Sequence, residues 1–244
     1  MRKLRVPVVC VLVILGLEIV RRSLREFLPF GHRFGVVLYG LLNPAPWVCV
    51  WIAWTALLGR RNSLNREEAM PILADSRRVF LAKYFRIVLV ILPVVFIPTL
   101  LFAAYGFGSF YVNNAHLGPT FPWLWCAFAS ILLDPFMESL VLALLTPGVV
   151  AFFMTAFPRS TRGIPCIVES GLAVVLVRNL SFWSAMMLII LKARYDLFRL
   201  LFSWLGVVQL QILMLAIALI ITVVLLSLVA AHLRHAPETR PESE

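Results

Sequence analysis

Charge is scarce in this chain. Only 14% of its 244 residues are Asp, Glu, Lys or Arg, whereas soluble domains average about 25%. Hydrophobic residues make up 61% and the mean hydropathy is +0.94, so a soluble fold would have to expose large apolar patches. The shortage of charge therefore excludes an ordinary soluble domain and indicates an integral membrane protein.

The common catalytic and cofactor motifs are also missing. The sequence contains no HExxH, no GxSxG, no GxxxxGK[ST] and no CxxCH. These motifs supply zinc ligands, a nucleophilic serine, a phosphate-binding loop and a haem attachment site, respectively. We therefore predict that the chain is not an enzyme and that it holds no cofactor and no metal.

Cysteines are few and dispersed. Cys10, Cys49, Cys126 and Cys166 form no CxxC pair, and three of them lie inside apolar segments. Cysteines in such positions are usually small buried hydrophobic residues. A disulfide framework is not expected.

Basic residues outnumber acidic ones, 22 to 12, for a net charge of +10. In a soluble protein this excess would suggest nucleic acid as a partner. Here the basic residues lie at the ends of apolar segments, as the positive-inside rule describes. We predict the lipid bilayer as the partner, and no nucleic acid.

Long apolar segments are abundant, and about 20 apolar residues suffice to cross a bilayer as a helix. They predict an all-α, polytopic transmembrane helical bundle of about six spans in a single domain, 1–231, followed by a disordered polar tail, 232–244. Because the first predicted span is short, two placements are open: it crosses the membrane, or it lies tilted at the interface. Glu18 in this span can pair with Arg21 or Arg22, one turn further along the helix. The predicted spans lie near residues 6–20, 35–58, 87–112, 122–157, 171–191 and 200–231.

Prolines interrupt several spans. A proline removes a helix donor and clashes with the preceding turn, so we predict helix breaks or kinks at six of them. The predicted breaks are Pro44, Pro46, Pro93, Pro98, Pro135 and Pro147.

The segment 122–157 contains two of these prolines, and two paths through it are open. In the favoured path a half-helix is followed by a single kinked span over 135–157. In the other, 123–145 crosses and 148–157 is re-entrant. The pieces between the prolines are about 11–12 residues long, too short to cross a core of about 30 Å by themselves.

The distribution of Lys and Arg predicts the topology. Segment 113–120 has neither residue, which marks it as non-cytoplasmic. Both termini are then predicted to be cytoplasmic, in a plasma (inner) membrane. The basic stretches 21–34 and 192–199 would lie outside, against the rule, so whether the first and fifth segments cross fully stays open.

The loop between the second and third spans carries a predicted cytoplasmic basic surface. We favour a loop that lies against anionic lipid over a docking surface for a soluble partner. The residues of this surface are Arg60, Arg61, Arg77, Arg78, Lys83 and Arg86.

Polar residues inside the apolar segments are the candidate functional residues. Asp134 and Glu138 are four residues apart, on one helix face, and Arg178 with Asn179 interrupts the fifth span. A charge at the bilayer centre costs about 2.5–3.5 kcal/mol on insertion scales. Two interpretations follow: a pathway for an ion or small solute, with a broken helix facing it, or a structural ion pair.

The chain's size, its number of spans and its basic first helix resemble, in architecture alone, the permease subunits of ABC exporters. Our leading hypothesis is a translocation subunit for an ion or small solute, driven by a partner subunit or a gradient. The alternative is a non-catalytic scaffold or anchoring subunit of a larger complex. A lipid-modifying enzyme is a third, weaker alternative.

Overall fold

The described part of the chain is almost entirely helical. The computed structural model describes residues 2–25, 40–58, 77–113, 129–156, 164–193 and 204–235, and no strand occurs among them. A five-residue π-helical turn, Ala129–Leu133, immediately precedes the fourth α-helix. The prediction of an all-α helical bundle is confirmed. The α-helices are α1 (Arg2–Arg25), α2 (Pro44–Leu58), α3 (Arg77–Asn113), α4 (Asp134–Ala156), α5 (Ile164–Ala193) and α6 (Trp204–His235).

Four of these helices, α3 to α6, are long and apolar enough to cross a membrane. The shortest of their apolar segments has 24 residues and covers about 36 Å at 1.5 Å per residue, more than the roughly 30 Å hydrocarbon core. The protein is an integral membrane protein. The apolar part of α2 is shorter, and α1 carries four charged residues in its C-terminal half.

The fourth helix, α4, is the centre of the bundle. It contacts α2, α3, α5 and α6, while α1 contacts α2 and α3. The apolar segment of α4 is 72% buried, against 33%, 28% and 22% for α3, α5 and α6. Its buried hydroxyl groups donate to carbonyl oxygens four residues earlier in the helix, as Ser139 does to Pro135 and Thr155 to Ala151. These bonds allow polar side chains inside an apolar core.

The helices are not broken at Pro93, Pro98 or Pro147. Both α3 and α4 run through their prolines as continuous helices. Segment 134–156 is therefore a single helix, in line with the path favoured from the sequence, and the re-entrant alternative is not found. Residues 122–128, where the half-helix was predicted, lie outside the described part of the chain.

Hydroxyl groups donate to carbonyls close to two of these prolines. Next to Pro98, the Thr99 hydroxyl donates to the Val95 carbonyl at 2.8 Å. At the turn before Pro147, Thr146 donates to Leu142 and the Tyr84 hydroxyl of α3 donates to Leu144, both at 2.6 Å. Carbonyls near a proline thus receive side-chain donors, which is how transmembrane helices tolerate proline.

At the other predicted breaks the prolines stand at helix starts. Pro44 is the first residue of α2, where its missing N–H costs little, and Asn43 accepts a hydrogen bond from the Ala45 amide at 3.0 Å as the cap. Pro46 lies in the same first turn. Pro135 is the second residue of α4, directly after the π-helical turn.

The tryptophans of α2 join it to α5. The Trp54 indole donates to the buried Ser170 hydroxyl at 3.0 Å, and the Trp47 ring covers Gly171 so closely that a Cβ there would overlap it. Trp51 is instead 45% exposed. These rings hold the short helix α2 against the long helix α5 and so form one wall of the bundle.

Candidate functional site

Three of the predicted polar residues meet between α4 and α5. The Arg178 guanidinium donates through Nη2 to Glu138 Oε1 at 2.5 Å and through Nη1 to Asn179 Oδ1 at 3.3 Å. The side chains of Arg178 and Glu138 are 27% and 29% exposed. They form a partly buried ion pair between two apolar helices.

The second acid faces a different helix. Gln211 of α6 donates through Nε2 to Asp134 Oδ1 at 2.6 Å. Of the two carboxylates predicted to face Arg178, the structure therefore pairs only Glu138 with it. Gln211 is a site residue that we did not predict from the sequence. Its only signal there is that it is a polar residue in the sixth predicted span, 200–231.

Both acids border a cavity of about 230 Å³, which we call the polar cavity. It lies among α1, α3, α4 and the start of α2, and has room for several water molecules. Hydrophobic side chains form the rest of its wall, so the charged groups are set in apolar surroundings. Its polar side chains are Glu18, Arg21, Arg22, Asn43, Thr99, Asp134 and Glu138.

The opposite wall of the polar cavity comes from α1. Glu18 is only 7% exposed and accepts hydrogen bonds from Arg21 Nη2 and, at 3.1 Å, from Arg22 Nε. The predicted pairing of Glu18 is thus confirmed, with both arginines. The Arg22 guanidinium also lies 4.6 Å from the centre of the Phe102 ring of α3, a cation–π contact that joins α1 to α3.

The sequence did not indicate that these α1 charges face the same cavity as the acids of α4. From the sequence, Glu18 is predicted only to pair with Arg21 or Arg22. The signal in the sequence is the position of Glu18 inside an apolar helix, one turn before two arginines. Pairing within one helix predicts that a charge is neutralised, but it does not predict what the pair faces.

Five charged side chains line the polar cavity, and a sixth, that of Arg178, pairs with Glu138 from outside the lining. Glu18, Asp134 and Glu138 supply three carboxylates, and Arg21, Arg22 and Arg178 supply three guanidinium groups. The described residues provide no hydrogen-bond partner for Arg178 Nε or Gln211 Oε1, both buried atoms. Buried polar atoms are normally bonded to protein or water, so this region has unused hydrogen-bonding capacity for water or a polar solute.

The arrangement offers hydrogen-bond donors and acceptors to one small polar species. Within the described residues, no group of three or more His, Cys, Asp or Glu is arranged to hold a metal ion. Two of the three carboxylates instead lie on the α4 wall of the polar cavity and the third on the α1 wall, which suits a solute or ion that keeps some of its water.

The predicted basic surface is only partly described. Arg60 and Arg61 lie outside the described residues, and Arg77 and Arg78 begin α3. Arg86 is exposed on the first turns of α3, where Lys83 is partly buried. These positions show that the basic segment leads directly into a membrane-spanning helix.

Comparisons with family models, with curated proteins and with solved structures find no match to this chain. Its function is therefore argued from the polar cavity and the helices that form it.

Proposed function

We propose that this protein is a membrane-embedded, permease-like translocation subunit for an ion or a small solute. The observation that carries the proposal is the polar cavity, which brings charges from α1 and α4 together inside an apolar bundle. Charged residues are costly in the bilayer and commonly mark substrate or ion pathways. In this proposal the polar cavity, with its charged side chains and free volume, forms part of such a pathway.

In this proposal the solute occupies the polar cavity and contacts Asp134 and Glu138. Arg178 of α5 pairs with Glu138 at 2.5 Å. The pairing lowers the free-energy cost of a charged Glu138 carboxylate when no solute is bound. The chain makes and breaks no covalent bond. A gradient or a partner subunit supplies the energy, and the protein lies in a plasma (inner) membrane with both termini in the cytoplasm.

In this proposal, α1 is the helix that moves during transport. The helix contacts α2 and α3, and most of its apolar side chains are exposed on the outside of the bundle. Arg22 lies over the Phe102 ring of α3, and among the described residues of α1 the buried hydrophobic ones are Cys10 and Ile14. A helix held this way can shift without disrupting the tightly packed contacts of α4.

The test is to replace Asp134 by Asn and Glu138 by Gln, and to measure both membrane abundance and flux. Flux is followed in liposomes with protons, Na⁺ and K⁺ as the probes. We expect the flux per molecule of inserted protein to fall at least about tenfold, which requires a rise in barrier of only about 1.4 kcal/mol, and abundance to fall less than flux. Glu169→Gln is the matched control, because Glu169 is exposed on α5, outside the polar cavity.

The alternative function is a scaffold or anchoring subunit. It is favoured by the fact that each acid of α4 is bonded to a neighbouring helix, Glu138 to α5 and Asp134 to α6. If these bonds only hold helices together, the two variants lower abundance and flux in the same proportion. Unchanged abundance and unchanged flux would contradict both functions for these residues.

A further inference from the structure

A second and larger cavity opens on the outside of the bundle, between α1 and α2. We call it the apolar groove. Its volume is about 590 Å³, within the range of roughly 300–1,000 Å³ typical of ligand sites. It is lined by α1 between Val9 and Leu24 and by residues between Leu41 and Trp51, and Arg21 is its single charged residue.

Arg21 belongs to both cavities, since it lines the apolar groove and the polar cavity. Arg22 lines the polar cavity next to it. A ligand that filled the groove and reached these guanidinium groups would need a long apolar part and an anionic end. We infer that the apolar groove binds an acyl chain of an anionic phospholipid, with the lipid phosphate at Arg21 and Arg22.

The dimensions of the apolar groove fit an acyl chain. The α1 residues that line it span about 22 Å at 1.5 Å per residue, and one leaflet contributes only about half of a 30 Å hydrocarbon core. An α-helix about 10 Å wide and 22 Å long would occupy roughly 1,700 Å³. That is far more than the groove holds, so a single chain fits better than a partner helix or a second copy of this protein.

The charge at the groove's polar end fits an anionic headgroup. Glu18 is shared by two arginines, so this group of three side chains carries a net charge of +1. Arginines near the membrane surface attract anionic lipids, and they pair well with phosphate oxygens. A zwitterionic lipid has no net charge to match. Hydrophobic burial of the chain would be the same for both lipids, so the headgroup decides the preference.

The inference does not depend on transport, because lipid binding can be measured without any flux. The purified full-length protein is examined by native mass spectrometry with added phosphatidylglycerol or phosphatidylcholine of identical acyl chains. Retention of each lipid is measured for wild type and four variants, together with the flux assay above. Lipid retention is also measured for Glu138→Gln. A loss of flux in that variant with normal lipid retention, or a loss of lipid retention with normal flux in Val13→Trp, separates failure of one proposal from failure of the other.

Two pairs of variants test the two parts of the site. Arg21→Gln removes the proposed headgroup contact, and its control is Arg5→Gln, an exposed arginine of the same helix outside both cavities. Val13→Trp fills the apolar groove, and its control is Val8→Trp, an exposed valine of α1 that does not line it. Both tryptophans are placed at exposed positions, so the fold should accept them.

We expect phosphatidylglycerol to be retained at least fivefold more than phosphatidylcholine, and Arg21→Gln to reduce this preference about fivefold. Val13→Trp should reduce retention of both lipids, and neither control should change it. If Arg21→Gln unfolds, Val13→Trp decides the outcome. Equal retention of the two lipids, or normal retention by Val13→Trp, would overturn the inference. A dimer or a co-purifying protein that disappears in Val13→Trp would also overturn it.

Discussion

The ion pair between Glu138 and Arg178 joins two helices of the bundle, α4 and α5. Each side chain is little more than a quarter exposed, so neither is fully hydrated. A pair of this kind contributes little net stability when intact, since desolvation offsets the attraction, but leaving one partner alone is costly. The two residues should therefore be strongly coupled in any stability measurement.

This coupling leads to a prediction that separates the two candidate functions. Arg178→Gln leaves Glu138 unpaired and should lower membrane abundance and thermal stability, and adding Glu138→Gln should restore both. We expect a coupling of about 1–3 kcal/mol. It is measured as a double-mutant cycle on the unfolding temperature in detergent, with the exposed Arg86→Gln as control.

Flux distinguishes the roles of the same pair. If the double variant regains abundance but not flux, the carboxylate acts in translocation. If it regains both, the pair only joins α4 to α5. Additive effects of the two substitutions would show that Glu138 and Arg178 do not interact as the 2.5 Å distance implies.

At the scale of helices, the contact of α2 with α5 depends on one small residue. The Trp47 ring lies on the bare backbone of Gly171, and it cannot move away easily because its indole N–H donates to the Leu41 carbonyl at 2.9 Å. Ser170, beside the glycine, accepts from Trp54 at 3.0 Å. Close approach of helices at small residues is typical of membrane proteins.

We predict that Gly171→Ala destabilises the protein by about 1–3 kcal/mol, the usual cost of overpacking. Gly106→Ala is the control: a Cβ there meets nothing within 4 Å, and removing a helical glycine should stabilise by about 0.5–1 kcal/mol. The measurement is the unfolding temperature in detergent. Adding Trp47→Leu should rescue Gly171→Ala, and failure of this rescue would mean that the ring is not the obstacle.

At the scale of the whole molecule, the six helices suit an even number of crossings, with both ends of the chain on one side. Segment 113–120, without Lys or Arg, would then lie on the opposite side, between α3 and α4. The short α2 and the charged α1 are the helices for which length and composition do not establish a crossing. Their placement decides on which side of the membrane the arginines of α1 lie.

Cysteine labelling checks this topology. In a background without the four native cysteines, Ala115→Cys should react with a membrane-impermeant maleimide in intact cells, and Thr239→Cys only after permeabilisation. Ser23→Cys, at an exposed position near the end of α1, should react from outside if α1 crosses. Labelling of position 23 only after permeabilisation would place all of α1 on the cytoplasmic side. It would also reduce the number of crossings.

The local sequence determined the class of this protein and the identity of its polar residues. Apolar runs of sufficient length form helices in a bilayer because the backbone must satisfy its own hydrogen bonds there. The cost of burying charge singles out Asp134, Glu138 and Arg178. The pairing of Glu18 with its arginines is also local, since these residues lie within one turn or so of each other on the same helix.

The tertiary structure alone decided which helices face one another. Gln211 meets Asp134 across 77 positions of sequence, and Arg21 joins the polar cavity to the apolar groove; neither fact follows from helical periodicity. The same holds at Pro147, where a donor from α3 reaches the neighbouring turn of α4. Which side-chain donors reach the turn before a proline depends on packing between distant segments, and this cannot be derived from the local sequence.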